Sequence, residues 1–346
     1  MLHPFRSAVP RTLAALVFVV AACGGSTTAP PPVTPTPVPP PPAPPAPPST
    51  TWSTAGRVTA FGANQGLAGA TVAPRWELAP VVTDGQGAYQ ITDTTDPPFA
   101  PYPLTVSAPG MLTREMWISW TRGARTGVDI TLIRNAAPFS MTFYQQFARD
   151  MYDKSKGSPW PLRRWTTAPK FYLRTLDQAG RPVEPEVLSL TIETIRKAVP
   201  AYTANTYTAA AIETGTEVRP AAAGWINVDF KREFNDDTPC GRAFVGENPG
   251  TITLYEDQCS CGSIKVPPSV TTHEVGHAMG FFHVSDRNSV MYPYDRGDCR
   301  HSELSSAESY HAAVMYSRPR GNTDPDKDPS TGPTLGIHAM TGPLVR

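Results

Sequence analysis

The stretch His273-Glu274-Val275-Gly276-His277-Ala278-Met279-Gly280-Phe281-Phe282-His283 decides how this chain is read. Residues four apart share one face of an α-helix, so His273 and His277 can aim imidazole nitrogens at one ion while Glu274 stays beside it. Gly280 lets the chain leave that helix through a backbone conformation closed to larger residues. The turn can then bring His283 round as a third ligand. Three protein ligands leave one tetrahedral position open, the mark of a catalytic rather than a structural zinc site. The expectation is one zinc ion held by His273, His277 and His283, with Glu274 as general base.

Shortly beyond His283 comes Ser289-Val290-Met291-Tyr292-Pro293. This segment closely resembles the Met-turn that floors the metal site of metzincin peptidases, and the two elements stand in order at matrixin-like spacing. The resemblance covers about Lys170 to Tyr316. It implies a twisted mixed sheet with helices, a zinc helix and a C-terminal subdomain after it. It also implies that an edge strand upstream of the zinc helix, taken as Thr251 to Tyr255, binds an extended polypeptide by strand addition. Zinc would polarise the scissile carbonyl and lower the pKa of water toward ~7. Glu274 would take the water's proton and pass it to the leaving amine. Met291 would be a packing residue of the Met-turn.

Two departures from the family stand out. Matrixins follow the Met-turn with Pro-x-Tyr, whereas here the chain reads Pro293-Tyr294-Asp295, which puts pocket shape and preference in doubt. Tyr294 stands where astacin and serralysin relatives carry a tyrosine able to approach zinc; the alternative is a packing or pocket-wall tyrosine. No cysteine-switch propeptide is recognisable, and Pro239-Cys240-Gly241 lies inside the catalytic region.

Working outward, Phe143, Phe147 and Met151 recur every four residues, and Leu188, Ile192, Ile195 and Val199 follow helical periodicity, so each set marks one buried helix stripe. Residues 170–175, 224–230 and 251–255 read as strands. Ser305-Ser306-Ala307-Glu308 looks like a capping box opening a helix to about Tyr316. Together these predict an α+β metzincin-type catalytic domain over 136–320, with a loop-like tail over 321–346.

Upstream, residues 51–135 hold short β-rich runs between Gly, Asn, Asp and Pro turns, the pattern of a small antiparallel β-sandwich. Gly56-Arg57-Val58, Gly69-Ala70-Thr71-Val72 and Thr83-Asp84-Gly85-Gln86-Gly87-Ala88-Tyr89 resemble the carboxypeptidase regulatory-like domain, which implies an Asp-Gly turn before a strand with an inward aromatic. With no clustered ionisable residues, this domain reads as a spacer or docking module. Residues 24–50 are a Pro-rich linker that extends as polyproline II and buries no core.

Residues 1–23 read as an export signal: Arg6 and Arg11 are basic, and Leu13 to Val20 is too short for a spanning helix of ~20 residues. Val20-Ala21-Ala22-Cys23 resembles a bacterial lipobox, which implies lipidation at Cys23. Gly24, in place of an acidic residue, favours the outer membrane or cell surface over inner-membrane retention.

The remaining features narrow the class. Of five cysteines, Cys240, Cys259, Cys261 and Cys299 remain after Cys23, an even number in an oxidising compartment, so two disulfides are expected with pairing left open. Cys259-Ser260-Cys261 lacks the spacer of a zinc ribbon. Thirty Lys and Arg against thirty Asp and Glu give no charge argument for nucleic acid or an anionic membrane surface. The expected partners are therefore an extended polypeptide substrate and a membrane met through the lipid anchor alone, with the chain a monomer. His301 and His311 read as surface or packing residues. Asp324, Asp326 and Asp328 alternate like calcium ligands, but Pro329 replaces the glycine of an EF-type loop, so a solvated acidic loop is expected.

Overall fold

Alternation of buried and exposed side chains builds the N-terminal module. In β4 (Ala88–Asp93), Tyr89 and Ile91 turn inward while Ala88, Gln90 and Thr92 face out. The computed structural model describes residues 51–330, apart from 76–77, 96–100, 121, 153–156, 208–210, 233–237 and 295–301. The export signal, the Pro-rich linker, Cys23, Cys299 and His301 lie outside the described residues. Ser49–Arg346 forms one compact unit. Among the described residues no helix is long and apolar enough to cross a membrane.

One sheet of this module runs β3 (Val81–Val82), β2 (Thr71–Pro74), β5 (Tyr102–Ser107), β6 (Arg114–Ile118). The other centres on β1 (Trp52–Ala60), which pairs β4, β7 (Gly123–Arg125) and β8 (Ile130–Leu132). Both sheets feed one buried cluster that includes Trp52, Val58, Ile91, Val72, Leu104, Val106 and Ile130. The Asp-Gly turn is closed by Asp84, whose Oδ1 accepts from the Gln86 and Ala88 amides, each at 2.8 Å. Tyr89 then buries its ring and donates from its hydroxyl to the Val128 carbonyl at 2.8 Å. The expectation of an antiparallel arrangement throughout needs correction: β7 and β8 run parallel to β1. Alternation reports which face is buried but not which way a neighbour runs.

The second region opens with α1 (Met141–Arg149), capped by the Ser140 hydroxyl and ended by left-handed Asp150, so Met151 falls outside the helix. A five-stranded sheet follows in the order β10 (Ala211–Gly215), β9 (Lys170–Arg174), β11 (Trp225–Arg232), β13 (Gly250–Glu256), β12 (Gly241–Ala243). All its pairings are parallel except β12 with β13. Inward residues Phe171, Leu173, Ile226, Val228, Phe230, Ile252 and Leu254 share one core with α2 (Pro185–Tyr202) and α3 (Pro268–Met279). On α2 the fully buried stripe is Val187, Thr191, Ile195, Ala198, Val199 and Tyr202, while Leu188 and Ile192 are only partly buried. Thr194 is buried on the same face, its hydroxyl bonded back to the Leu190 carbonyl at 2.8 Å, whereas the Thr191 hydroxyl meets no partner.

Two expectations are corrected here. Residues 251–255 are not an edge, since β13 lies between β11 and β12; the edge is the three-residue β12. The acidic run is not solvated either. Asp326 and Asp328 are buried, and Asp324 is half-buried. Arg318 forks onto Asp326 through Nε and Nη2, each at 2.7 Å. Arg114 of β6 pairs Asp328 at 2.8 Å, and Asn322 donates to both carboxylates. Backbone bonds join Glu115 to Asp326 and Asp328. Residues 318–328 thus strap the N-terminal module to the sheet-bearing region. Arg114 lies 214 residues from Asp328, and Arg318, though only eight residues from Asp326, meets it through a turn that no periodicity marks, which is why the aspartates look solvated in isolation.

Candidate metal centre

Helix α3 starts at Pro268, whose missing N–H costs nothing at a first-turn position. It ends at Gly280 with φ 109°. A Cβ there would also stand 2.9 Å from the Arg163 carbonyl oxygen, so both backbone angle and space call for glycine. The turn folds Phe281, Phe282 and His283 back under the helix, where all three are buried.

The three imidazoles converge. His283 Nε2 stands 3.2 Å from His273 Nε2 and 3.1 Å from His277 Nε2. Nitrogens bound to one tetrahedral zinc at ~2.0–2.1 Å would stand about 3.3 Å apart, so the spacing fits. The tautomers fit as well. His273 Nδ1 donates to the Val290 carbonyl at 2.7 Å and His277 Nδ1 to the Phe281 carbonyl at 2.8 Å, which turns the Nε2 lone pairs of both inward. Protonation would not relieve this crowding. Burial, and then His283, push His273 down to about 3, and burial pushes His277 well below the usual imidazole range. Among the described residues this is the one cluster of His, Cys, Asp or Glu that could hold a metal ion.

Glu274 lies beside them, fully buried, and neither carboxylate oxygen meets a protein hydrogen-bond donor. Burial holds its carboxyl well above the ordinary carboxylate range, with Arg242 pulling the other way. Buried carboxylates in native folds are nearly always satisfied. Strand β12 passes flush over this group: a Cβ on Gly241 would lie 2.6 Å from Glu274 Oε1. The edge strand therefore packs directly on the carboxylate.

Beneath the helix sits Met291, fully buried. The Tyr202 hydroxyl donates to its Sδ at 3.1 Å. Gly276 makes room for both, since a Cβ there would be 2.5 Å from the Met291 sulfur and 2.5 Å from the Tyr202 oxygen. Tyr294 is placed differently: it is 48 % exposed and packs against Tyr292, with ring centroids 5.6 Å apart. His311 is a packing residue whose Nε2 accepts from the Ser140 amide at 2.9 Å.

Sequence reasoning read Glu308 only as a helix cap. The capping box on α4 (Ser306–Tyr316) is present, with Glu308 Oε2 accepting from the Ser305 amide at 2.7 Å. Its other oxygen, however, accepts from the Ser289 hydroxyl and from the Val290 amide at 3.0 Å. Because the Val290 carbonyl receives His273 Nδ1–H, one buried carboxylate ties α4 through the 289–291 turn to the first histidine. The double role left a trace in the sequence only as Ser305-x-x-Glu308.

Cys240, one residue before the edge strand, is disulfide-bonded to Cys259 in the loop leading to α3. Cys261 is also disulfide-bonded.

A family model, matrixin, matches residues 258–317, the span holding α3, His283, the 289–291 turn and α4. This match supports a metzincin-like zinc metallopeptidase, and three histidines able to hold a metal are present within it. No curated protein matches the chain. Among solved structures, two cohesin–X-dockerin complexes of Acetivibrio cellulolyticus, both interface mutants of the type II complex, are similar at 16 % and 21 % identity. They cover 23 % and 24 % of this chain and 56 % and 58 % of theirs, each with a TM-score of 0.21. The chain thus spans little more than half the length of those proteins, and at that score the likeness carries no argument.

Proposed function

We propose that this protein is a zinc-dependent endopeptidase of metzincin type. The observation that carries the reading is three converging imidazole nitrogens beside a buried carboxylate with no protein donor. His273, His277 and His283 would hold one zinc ion, whose Lewis acidity activates a water and a peptide carbonyl. The Val290 and Phe281 carbonyls keep two of the rings oriented toward it.

The chain's own groups do the rest. A substrate strand pairs along the open side of β12, which sets its carbonyl next to Glu274. Glu274 accepts a proton from the attacking water, and the water oxygen bonds to the carbonyl carbon. The same carboxyl then gives that proton to the amide nitrogen as the C–N bond breaks, leaving a carboxylate and an amine. A base raised by burial suits both halves of this transfer. Met291 and Tyr202 floor the helix, and the Cys240–Cys259 bridge holds the start of the edge strand.

The proposal extends to the N-terminal module as a carboxypeptidase regulatory-like spacer. It extends also to export as a bacterial lipoprotein anchored at Cys23 on the outer membrane or cell surface. There the monomeric chain would act on extracellular or envelope proteins and touch the membrane by its lipid alone.

The test is Glu274→Gln, assayed on casein with metal content measured in parallel. The expected outcome is unchanged zinc content with turnover down about 10²–10⁴-fold. Full activity in that variant would remove Glu274 as the base; full zinc content with no cleavage by the unaltered chain would favour a binding protein built on the same site.

A further inference from the structure

A cleft of about 350 Å3 lies where β6 meets the segments around 164–166 and 319–330. Trp117, Arg164, Arg320 and Asp328 line it, with Pro101 and Pro319. Asp328 brings little free charge, because Oδ2 pairs Arg114 and Oδ1 accepts from Asn322, each at 2.8 Å.

The two arginines are different. Arg320 Nη1 donates to the carbonyls of Arg163, Arg164 and Gly246 at 3.2, 3.1 and 3.0 Å. Arg164 donates to the Trp165 carbonyl at 3.0 Å and to that of Arg318. These carbonyls fix the guanidinium planes without neutralising them. Among the described residues neither has a carboxylate partner, whereas Arg114, Arg149 and Arg318 close by each have one. Like charges held together and partly desolvated disfavour their own ionised form. Burial and then Arg164 both lower Arg320's hold on its proton. Trp117, half-buried, contributes its ring to the same lining.

We propose that this cleft binds a sugar ring carrying a carboxylate or phosphate, with the oxyanion on Arg320 and Arg164 and the ring against Trp117. A guanidinium offers a planar fork matched to either oxyanion. An aromatic face gives a sugar a flat apolar surface to stack on. The site is separate from the metal centre and does not depend on the peptidase reading.

Calorimetric titration of the full chain with a glucuronate oligosaccharide, glucose 6-phosphate, inorganic phosphate and glucose tests it. The expected result is saturable binding of both charged sugars, about tenfold weaker binding of inorganic phosphate, and none of glucose. Arg320→Gln should weaken the charged sugars about tenfold or more, the loss expected for one charge-assisted bond. Because Arg320 also ties three carbonyls, Trp117→Ala is the second variant, expected to weaken sugar binding with casein cleavage unchanged. No saturable binding of any charged probe overturns the site. Inorganic phosphate binding as tightly as glucose 6-phosphate, untouched by Trp117→Ala, overturns the saccharide as its ligand.

Discussion

Two buried polar clusters, one under α3 and one beneath the strap at 318–328, treat their charges in opposite ways. In the strap, Arg114 and Arg318 meet Asp328 and Asp326, and Asn322 supplies the remaining donors, so cations and anions balance within the protein. Under α3 the inward-facing groups are acceptors: imidazole nitrogens and a carboxylate that no protein donor reaches. A cluster that closes on itself stabilises or specifies the fold, whereas one whose acceptors meet no protein donor is suited to holding a cation. The same residue types thus carry different meanings according to whether their partners come from the chain.

The sharpest way to break that contrast is at Arg318, which is 1 % exposed. Arg318→Leu should cost about 3–5 kcal/mol in chemical denaturation, because it strands Asp326 without its cation. The double variant Arg318→Leu/Asp326→Leu should regain part of the loss. Equal losses in single and double variants would show that the strap is not a balanced unit.

At the other cluster, Glu308→Ala should reduce zinc affinity about 10–100-fold in a chelator competition, the usual effect of losing an orienting partner behind a ligand. Glu308→Gln, which keeps an acceptor toward Val290, should lose less. Unchanged zinc affinity in both would confine Glu308 to capping. Ser305→Ala removes only the cap at the far end of the same box and should cost ~1 kcal/mol of stability with zinc affinity intact.

Acid gives a further, smaller handle on the metal-free chain. Unfolded histidine binds a proton from about pH 6.5 downward, while burial holds folded His273 to about 3. Protons are then taken up by the unfolded state alone, so this contribution to stability is full above about 6.5 and is lost progressively as pH falls toward 3. A melting temperature of the metal-free protein that stays level across that window would contradict the burial of His273 and His277.

The convergence of the three histidines is legible because its logic is local: i, i+4 on a helix, a left-handed glycine, and a third histidine soon after it. The main strands were legible too, since 170–174 and 250–254 alternate against one core. What escaped depended on tertiary contacts that local pattern does not record. β12 is three residues long, and its small Gly241 and Ala243 give no periodic signal, so the edge was assigned to its neighbour β13. Asp326 and Asp328 look hydrophilic until Arg114 and Arg318 are brought to them. The parallel pairings of β1 follow from chain routing, for which alternation is silent.

The Arg114–Asp328 pair spans 214 residues of chain. Closing a loop of that length is entropically slow to achieve, and the contact must form after the intervening strands and helices have been laid down. The edge of the module near the N-terminus is therefore completed by nearly the last described residues to be synthesised. A chain lacking residues from Asp326 onward would present that edge unpaired, so the N-terminal module is finished by a segment that lies outside it.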